Sequence, residues 1–265
     1  VVAFDAVGPS ATAAKVSSAT TLTWNHTVGA SGTYLLVGAT CDQAVDAGFS
    51  MTAKYNTVAM TPLGSAVHAG ATNQGFLQVW GMASPPTGSA LAVLITAAGG
   101  TPTDLNGGSL SFSAAGPVSA TQSATGNSGV QSLSFSPTVS GNVVAAFCGC
   151  GSALTPSGSF TSRFNGGTAG GAGCGWVAGS TLASTGSAMT PSWTSSSDFW
   201  AVIAVEVQAA GANPNAGLPS GTGAASGVTT IPYRLVSNLK YATAASDLGG
   251  GTGAWGTPQY AEGGP

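Results

Sequence analysis

Apolar and polar residues alternate in short runs along most of this chain. Leu22, Trp24, His26 and Val28 share one phase of a run whose other phase is Thr23, Asn25 and Thr27. That is the period-two pattern of a half-buried strand. Comparable runs cover 33–40, 76–80, 91–95, 133–135 and 143–148. The run 200–207, WAVIAVEV, is apolar in both phases, as expected of a strand buried on both faces. Gly, Pro, Ser and Asn bound these runs, and no segment sustains a 3.6-residue apolar period. About fourteen to sixteen strands are predicted in this way. The fold class is therefore all-β, a large jelly-roll-like β-sandwich.

The pattern repeats. Leu22-Thr-Trp-Asn-His-Thr-Val28 resembles Leu133-Ser-Phe-Ser-Pro-Thr-Val139. Each is followed by a Ser-Gly turn and an apolar strand, 34–41 and 143–150, which makes Cys41 the counterpart of Cys150. Thr87-Gly-Ser-Ala-Leu91 resembles Thr185-Gly-Ser-Ala-Met189, and the halves close on Ala114-Ala-Gly116 and Ala209-Ala-Gly211. Two architectures fit: two small sandwiches in tandem, or one sandwich built from two similar halves, about 1–116 and 117–211. The second is favoured, because no linker separates the halves near Pro117.

Past Gly211 the composition shifts. Residues 212–265 hold 11 Gly and 5 Pro in 54 positions, too many for much regular structure. Apolar and aromatic side chains nevertheless recur there: Ile231, Tyr233, Leu235, Val236, Leu239, Tyr241, Trp255 and Tyr260. A flexible linker has no use for them. An extended arm that sets anchors into pockets on a neighbour does, and so does an arm folded back on its own sandwich.

Charge is scarce. The chain has 5 Lys and Arg and 8 Asp and Glu in 265 residues, 5% charged with a net charge of −3. Five dispersed cations cannot form the basic patch of a nucleic-acid binder, and helical bundles need charged faces that are missing here. The longest apolar stretch, 90–98, is too short to span a bilayer, and VVAFDAVGPS lacks the basic and apolar regions of a signal peptide. No membrane insertion is expected. The outward phase of the strands is Ser, Thr, Gly, Asn and Gln, which repels neighbours weakly. Such a surface suits dense, salt-insensitive assembly, or contact with a glycan or wall polymer through hydrogen bonds.

Catalytic constellations are hard to find. Only His26 and His68 could serve as an imidazole base, and there is no GxSxG elbow. A hydrolase would need one of them beside a carboxylate in a cleft. Asp198 and Glu206 share a strand face but lie roughly 25 Å apart by strand rise, too far for paired-carboxylate chemistry. Asp42 and Asp46 share a loop that could hold Ca²⁺, without an Asp-rich repeat to support it. Cys148 and Cys150 are spaced for one strand face rather than for a CxxC site; with Cys41 and Cys174 they read first as buried thiols, then as disulfides. Gly251-Thr-Gly-Ala-Trp-Gly256 matches GxGxxG by letter but follows no strand. Trp24, Trp80, Trp176, Trp193 and Trp200 read as core, or as a sugar-stacking platform if exposed. Asn25-His26-Thr27 is a glycosylation sequon only in a secreted eukaryotic protein. No catalytic residue, metal site or cofactor is assigned.

Leu22-Thr-Trp-Asn-His-Thr-Val-Gly29, Thr33-Tyr-Leu-Leu-Val-Gly38, Val79-Trp-Gly81, Pro86-Thr-Gly-Ser89 and the closing strand 200–207 resemble jelly-roll-like β-sandwich domains of actinobacterial extracellular proteins and of virion proteins of their phages. The Ala/Gly/Thr-heavy composition is similar to mycobacteriophage minor tail proteins. The resemblance covers 1–211 and implies a non-enzymatic structural protein of a bacteriophage virion, most readily a minor tail or tail-tip component involved in viral assembly and host attachment. The sandwich would face outward and 212–265 would be the docking arm, with Ile231, Tyr233, Leu235, Leu239, Tyr241, Trp255 and Tyr260 as its anchors. Expected partners are other virion proteins, further copies of the chain and a host cell-surface glycan. A capsid decoration protein and a secreted carbohydrate- or wall-binding module are the alternatives.

Overall fold

A computed structural model describes residues 1–42, 48–68, 75–168 and 175–211. Asp46, Cys174, the stretch 251–256 and the anchors Ile231, Tyr233, Leu235, Leu239, Tyr241, Trp255 and Tyr260 lie outside the described residues. The chain divides into two units, Val1–Leu218 and Pro219–Pro265; the architecture that follows belongs to the first.

The described residues form sixteen strands and no α-helix. The first half contains β1 (Ala3–Gly8), β2 (Ala14–Ser17), β3 (Thr21–Thr27), β4 (Gly32–Cys41), β5 (Ser50–Tyr55), β6 (Val58–Ala59), β7 (Thr61–Val67), β8 (Phe76–Ala83), β9 (Ala90–Ala98) and β10 (Asp104–Ser113). Its pairing is nested: β1 with β10, β3 with β9, β4 with β8, β5 with β6, all antiparallel. A long hairpin rolled on itself in this way is a jelly roll. Rolling sets β10 beside β4 and β9 beside β5. A large sheet, β1-β10-β4-β8-β7, thereby faces a small one, β3-β9-β5-β6. The alternation explains the small sheet: Leu22, Trp24 and His26 point inward while Thr21, Thr23, Asn25 and Thr27 face solvent. Trp24, Val37, Tyr55, Trp80 and Ile95 fill the space between the two sheets.

The second half contains β11 (Ala115–Ser132), β12 (Ser140–Cys150), β13 (Thr155–Ser157), β14 (Thr161–Gly167), β15 (Trp176–Thr185) and β16 (Ser192–Ala209). Its large sheet, β11-β16-β12-β15-β14, has the strand order of the first. The likeness reaches individual residues. Leu36 lies between Leu110 and Gly81, and its counterpart Ala145 lies between Val205 and Thr181. Register shifts recur at matching places, at Phe4/Ala6 and Val118/Ala120, and at Pro62/Gly64 and Ser162/Phe164. The bulge residues Asp5 and Ser119 are therefore counterparts, as are Leu63 and Arg163.

The second half's outer layer is reduced. The run 133–135, expected as a strand, makes one bridge, Phe135 to Met189. Pro137 and Pro191 explain this, since neither has an N–H to continue a ladder. β13 pairs with the start of β16 beside it. Leu133, Phe135, Phe160, Met189 and Trp193 still cover the outer face of the large sheet.

A third core joins the halves, with the two large sheets face to face. Phe147 of β12 lies over Gly38 of β4, and Phe164 of β14 lies over Gly108 of β10 and Gly179 of β15. A Cβ at Gly108 would come within 2.6 Å of the Phe164 ring, so only glycine admits that ring. Gly38 and Phe147 are counterparts in the repeat, and so are Thr40 and Gly149, which also meet. Each large side chain thus faces a small one. Two identical halves could not provide that match, so the divergence of the repeat is what lets the halves interlock.

Candidate functional site

β3 carries Trp24 and His26 inward onto Ser109 and Ser111 of β10. The Trp24 Nε1–H donates to Ser109 Oγ at 2.9 Å. His26 Nδ1 lies 2.9 Å from Ser109 Oγ and its Nε2 lies 3.1 Å from Ser111 Oγ. Ser111 Oγ donates to Asp5 at 2.7 Å. Ser111 has one hydroxyl hydrogen, so it must accept from Nε2–H, which leaves Nδ1 to accept from Ser109. Ser109 Oγ also lies 3.3 Å from the Gly8 carbonyl, a longer contact than the one to Nδ1; the hydrogen-bond chain ends at Asp5, which also accepts the Gly29 N–H at 2.8 Å. Burial lowers the His26 pKa to about 4, with the Asp5 charge pulling the other way. The imidazole is neutral at pH 7 and 1% exposed. A hydrolytic triad runs acid, imidazole, serine; here a serine separates acid from imidazole. The arrangement ties the small sheet to the large one and the β3–β4 loop to β1.

The sign of the linkage follows. Unfolded His26 takes up a proton near 6.5, whereas the folded residue resists until about 4. The stability it confers is complete above pH 6.5 and drains away as pH falls toward 4, by on the order of 3 kcal/mol. Urea midpoints at about pH 7 and about pH 4.5 should diverge strongly for the native chain. His26→Gln should remove much of that divergence; an unchanged difference would refute the role.

Glu206 does the same work in the second half. It is fully buried. Its carboxylate accepts Thr138 N–H at 2.9 Å, Thr138 Oγ1–H at 2.9 Å, Asn142 Nδ2–H at 2.8 Å and Ser119 Oγ–H at 2.9 Å. Burial pushes its pKa up, but these donors together hold it below the usual carboxylate value. Ser119 is the counterpart of Asp5 and Glu206 that of Ser111, so the acid and the hydroxyl have changed places between the halves. Each acid pins the corresponding loop of its own half, at Gly29 and at Thr138. Composition could not show this, because Asp5 sits on a bulge that breaks strand alternation.

The other described acids, Asp42, Asp104 and Asp198, are also engaged. Asp198 accepts from Ser152 Oγ at 2.7 Å and Phe199 N–H at 2.8 Å. Asp42 accepts Thr103 N–H at 2.8 Å and Asp104 N–H at 3.2 Å. Among the described residues no three His, Cys, Asp or Glu side chains are grouped to hold a metal. Cys41 is buried in the first half's core. Cys148 and Cys150 share one face in the outer core of the second half, where burial raises both thiol pKa values. His68 is buried with its Nε2 3.3 Å from Thr40 Oγ1, where the two halves meet.

Trp24, Trp80, Trp193 and Trp200 are buried and Trp176 is half-buried. Among the described residues no aromatic side chain is exposed, and the exposed large apolar ones are Val1, Val58 and Val130. Two surface features stand out among the described residues. One is the edge strand β11, 18 residues long with no charged side chain. The other is a pair of hollows flanking Leu182 and Ala183, where β15 runs on past its partner β14. The larger, about 460 Å³, is bounded by Gly158, Met189 and Ser192, beside the reduced outer layer. The smaller, about 170 Å³, contains Arg163. Sequence reading passed over Arg163; aligning Thr61-Pro-Leu63 with Thr161-Ser-Arg163 is the signal that singles it out. No protein-family model, curated protein or solved structure matches the chain.

Proposed function

We propose that this chain is a non-enzymatic structural protein of a bacteriophage virion, a minor tail or tail-tip component. Its partners are other virion proteins and further copies of itself, with residues 212–265 as the docking arm. The observation that carries the reading is β11. An edge strand offers unpaired N–H and C=O groups, and free-standing proteins blunt such edges with charge, proline, bulges or brevity; the bulges of β11 lie toward its two ends, and Ala120–Ser128 between them runs without a register shift. β11 is about 60 Å long and carries no charge, and beyond Pro117 no proline interrupts it. Ser, Thr, Ala, Gly, Asn and Gln dominate it, so a neighbouring backbone can approach closely without desolvating a charge. The scarcity of charge over the whole chain and the resemblance of 1–211 to virion sandwiches point the same way.

Two variants test this in one assembly assay. A chain ending at residue 211 is expected to fold, yet to be missing from purified particles. A full-length chain with Ser123→Lys and Asn127→Lys on β11 is also expected to fold and to be incorporated at least tenfold less. Normal incorporation of both variants would remove the assembly reading.

A further inference from the structure

We propose that the hollow at Arg163 is a binding site for the carboxylate of a sugar acid, a uronic acid free or at the end of a glycan. The guanidinium carbon lies 3.8 Å from the centroid of the Phe4 ring, and Nε donates to Thr181 Oγ1 at 2.8 Å. One face and one nitrogen are thereby fixed, and the planar fork is held in a single orientation. Among the described residues no acid lies within ion-pair distance of Arg163, and its Nη hydrogens meet no acceptor. A half-buried guanidinium with its remaining donors unused is arranged for a bidentate carboxylate.

The first half shows what the position looks like without that task. There the counterpart of Arg163 is Leu63, that of Val143 is Tyr34, and that of Thr181 is Gly81. Leu63 and the Tyr34 hydroxyl crowd over Gly81, where a Cβ would meet them at 2.9 and 2.5 Å. That site is full. In the second half Tyr gives way to Val, which opens space. Leu gives way to Arg, which adds one of the chain's 5 cations. Gly gives way to Thr, which adds a hydroxyl. The result is a hollow of about 170 Å³ walled by Phe4, Val143, Leu182, Thr161 and Thr181. A cation serving only to cover Phe4 would need no hollow. The volume is below that of sites that enclose whole drug-sized ligands, so it takes an acid group and part of one ring. Thr181 Oγ1, which accepts from Arg163, keeps its own hydrogen to donate to a sugar hydroxyl, and Thr161 is a second hydroxyl-bearing residue on the wall. The site stands independently of the assembly reading.

The test is an NMR titration of the ¹⁵N-labelled full chain, following the Arg163 Nε–H and Thr181 amide signals. Sodium D-glucuronate should give saturable shifts, and its methyl ester and sodium chloride at equal ionic strength should give none. Acetate should bind the same signals more weakly. Arg163→Gln should weaken glucuronate binding at least tenfold, and Phe4→Leu, which keeps the charge but removes the ring beneath it, should weaken it severalfold. Non-saturating shifts matched by chloride, or equal shifts with the methyl ester, overturn the site on the unaltered protein. N-acetylglycinate binding more tightly than glucuronate would overturn the saccharide assignment in favour of a peptide chain end.

Discussion

Phe147→Ala is expected to destabilise the fold by about 3–5 kcal/mol, the range for removing a large aromatic side chain from a packed core. Phe147 is fully buried where the two large sheets meet, with Gly38 beneath its ring. Truncation therefore loses both the transfer energy of the ring and the contacts of its lining. Gly38→Ala is expected to cost about 1–3 kcal/mol for the opposite reason, since its methyl would overlap the ring. The pair identifies the mechanism. In the double variant the new methyl occupies part of the vacated space, so the combined loss should fall short of the two single losses added together by about 1 kcal/mol or more. Urea unfolding of all four proteins measures this. Strict additivity would mean that these residues do not pack as a unit.

Glu206→Leu is expected to cost about 3–5 kcal/mol, although leucine is apolar and the site is buried. The substitution removes an acceptor and leaves the Thr138 N–H, the Thr138 and Ser119 hydroxyls and the Asn142 amide without a partner. Unmet buried donors are costly. Glu206→Gln should cost about half as much, because its carbonyl oxygen can still accept while its NH₂ turns toward other donors. Asp198→Asn, at a half-buried position, should cost no more than about 1 kcal/mol. Chemical denaturation near neutral pH ranks the three variants. The native carboxylate's contribution should fade as pH falls below the ordinary carboxylate range, since its pKa is held low in the fold.

Much of the fold was legible because strand alternation is a local property. Leu22, Trp24 and His26 point inward as their phase requires, and the double burial of 200–207 follows from its unbroken apolar run. Other features depend on partners far along the chain. The nested pairing of β1 with β10 joins residues about a hundred positions apart, and nothing in either segment specifies the other. Alternation overstates the run 133–135, because it signals burial while the prolines opposite and beyond it limit hydrogen bonding to one bridge. Asp5 and Arg163 are invisible to strand alternation because both occupy bulges, where strand phase gives no guidance. The repeat visible in the sequence could have located both, since their counterparts Ser119 and Leu63 lie at matching bulges. The hollow at Arg163 arises from a size difference at Val143 against Tyr34, and only the folded neighbourhood makes that difference meaningful.

The most direct test of the assembly reading is immunogold electron microscopy of the native source, with antibody raised against residues 1–211. Gold at one end of tailed particles is the predicted result. Gold over the heads would move the protein to the capsid surface while keeping it in the virion. Label confined to the cell envelope or to free protein would contradict the account.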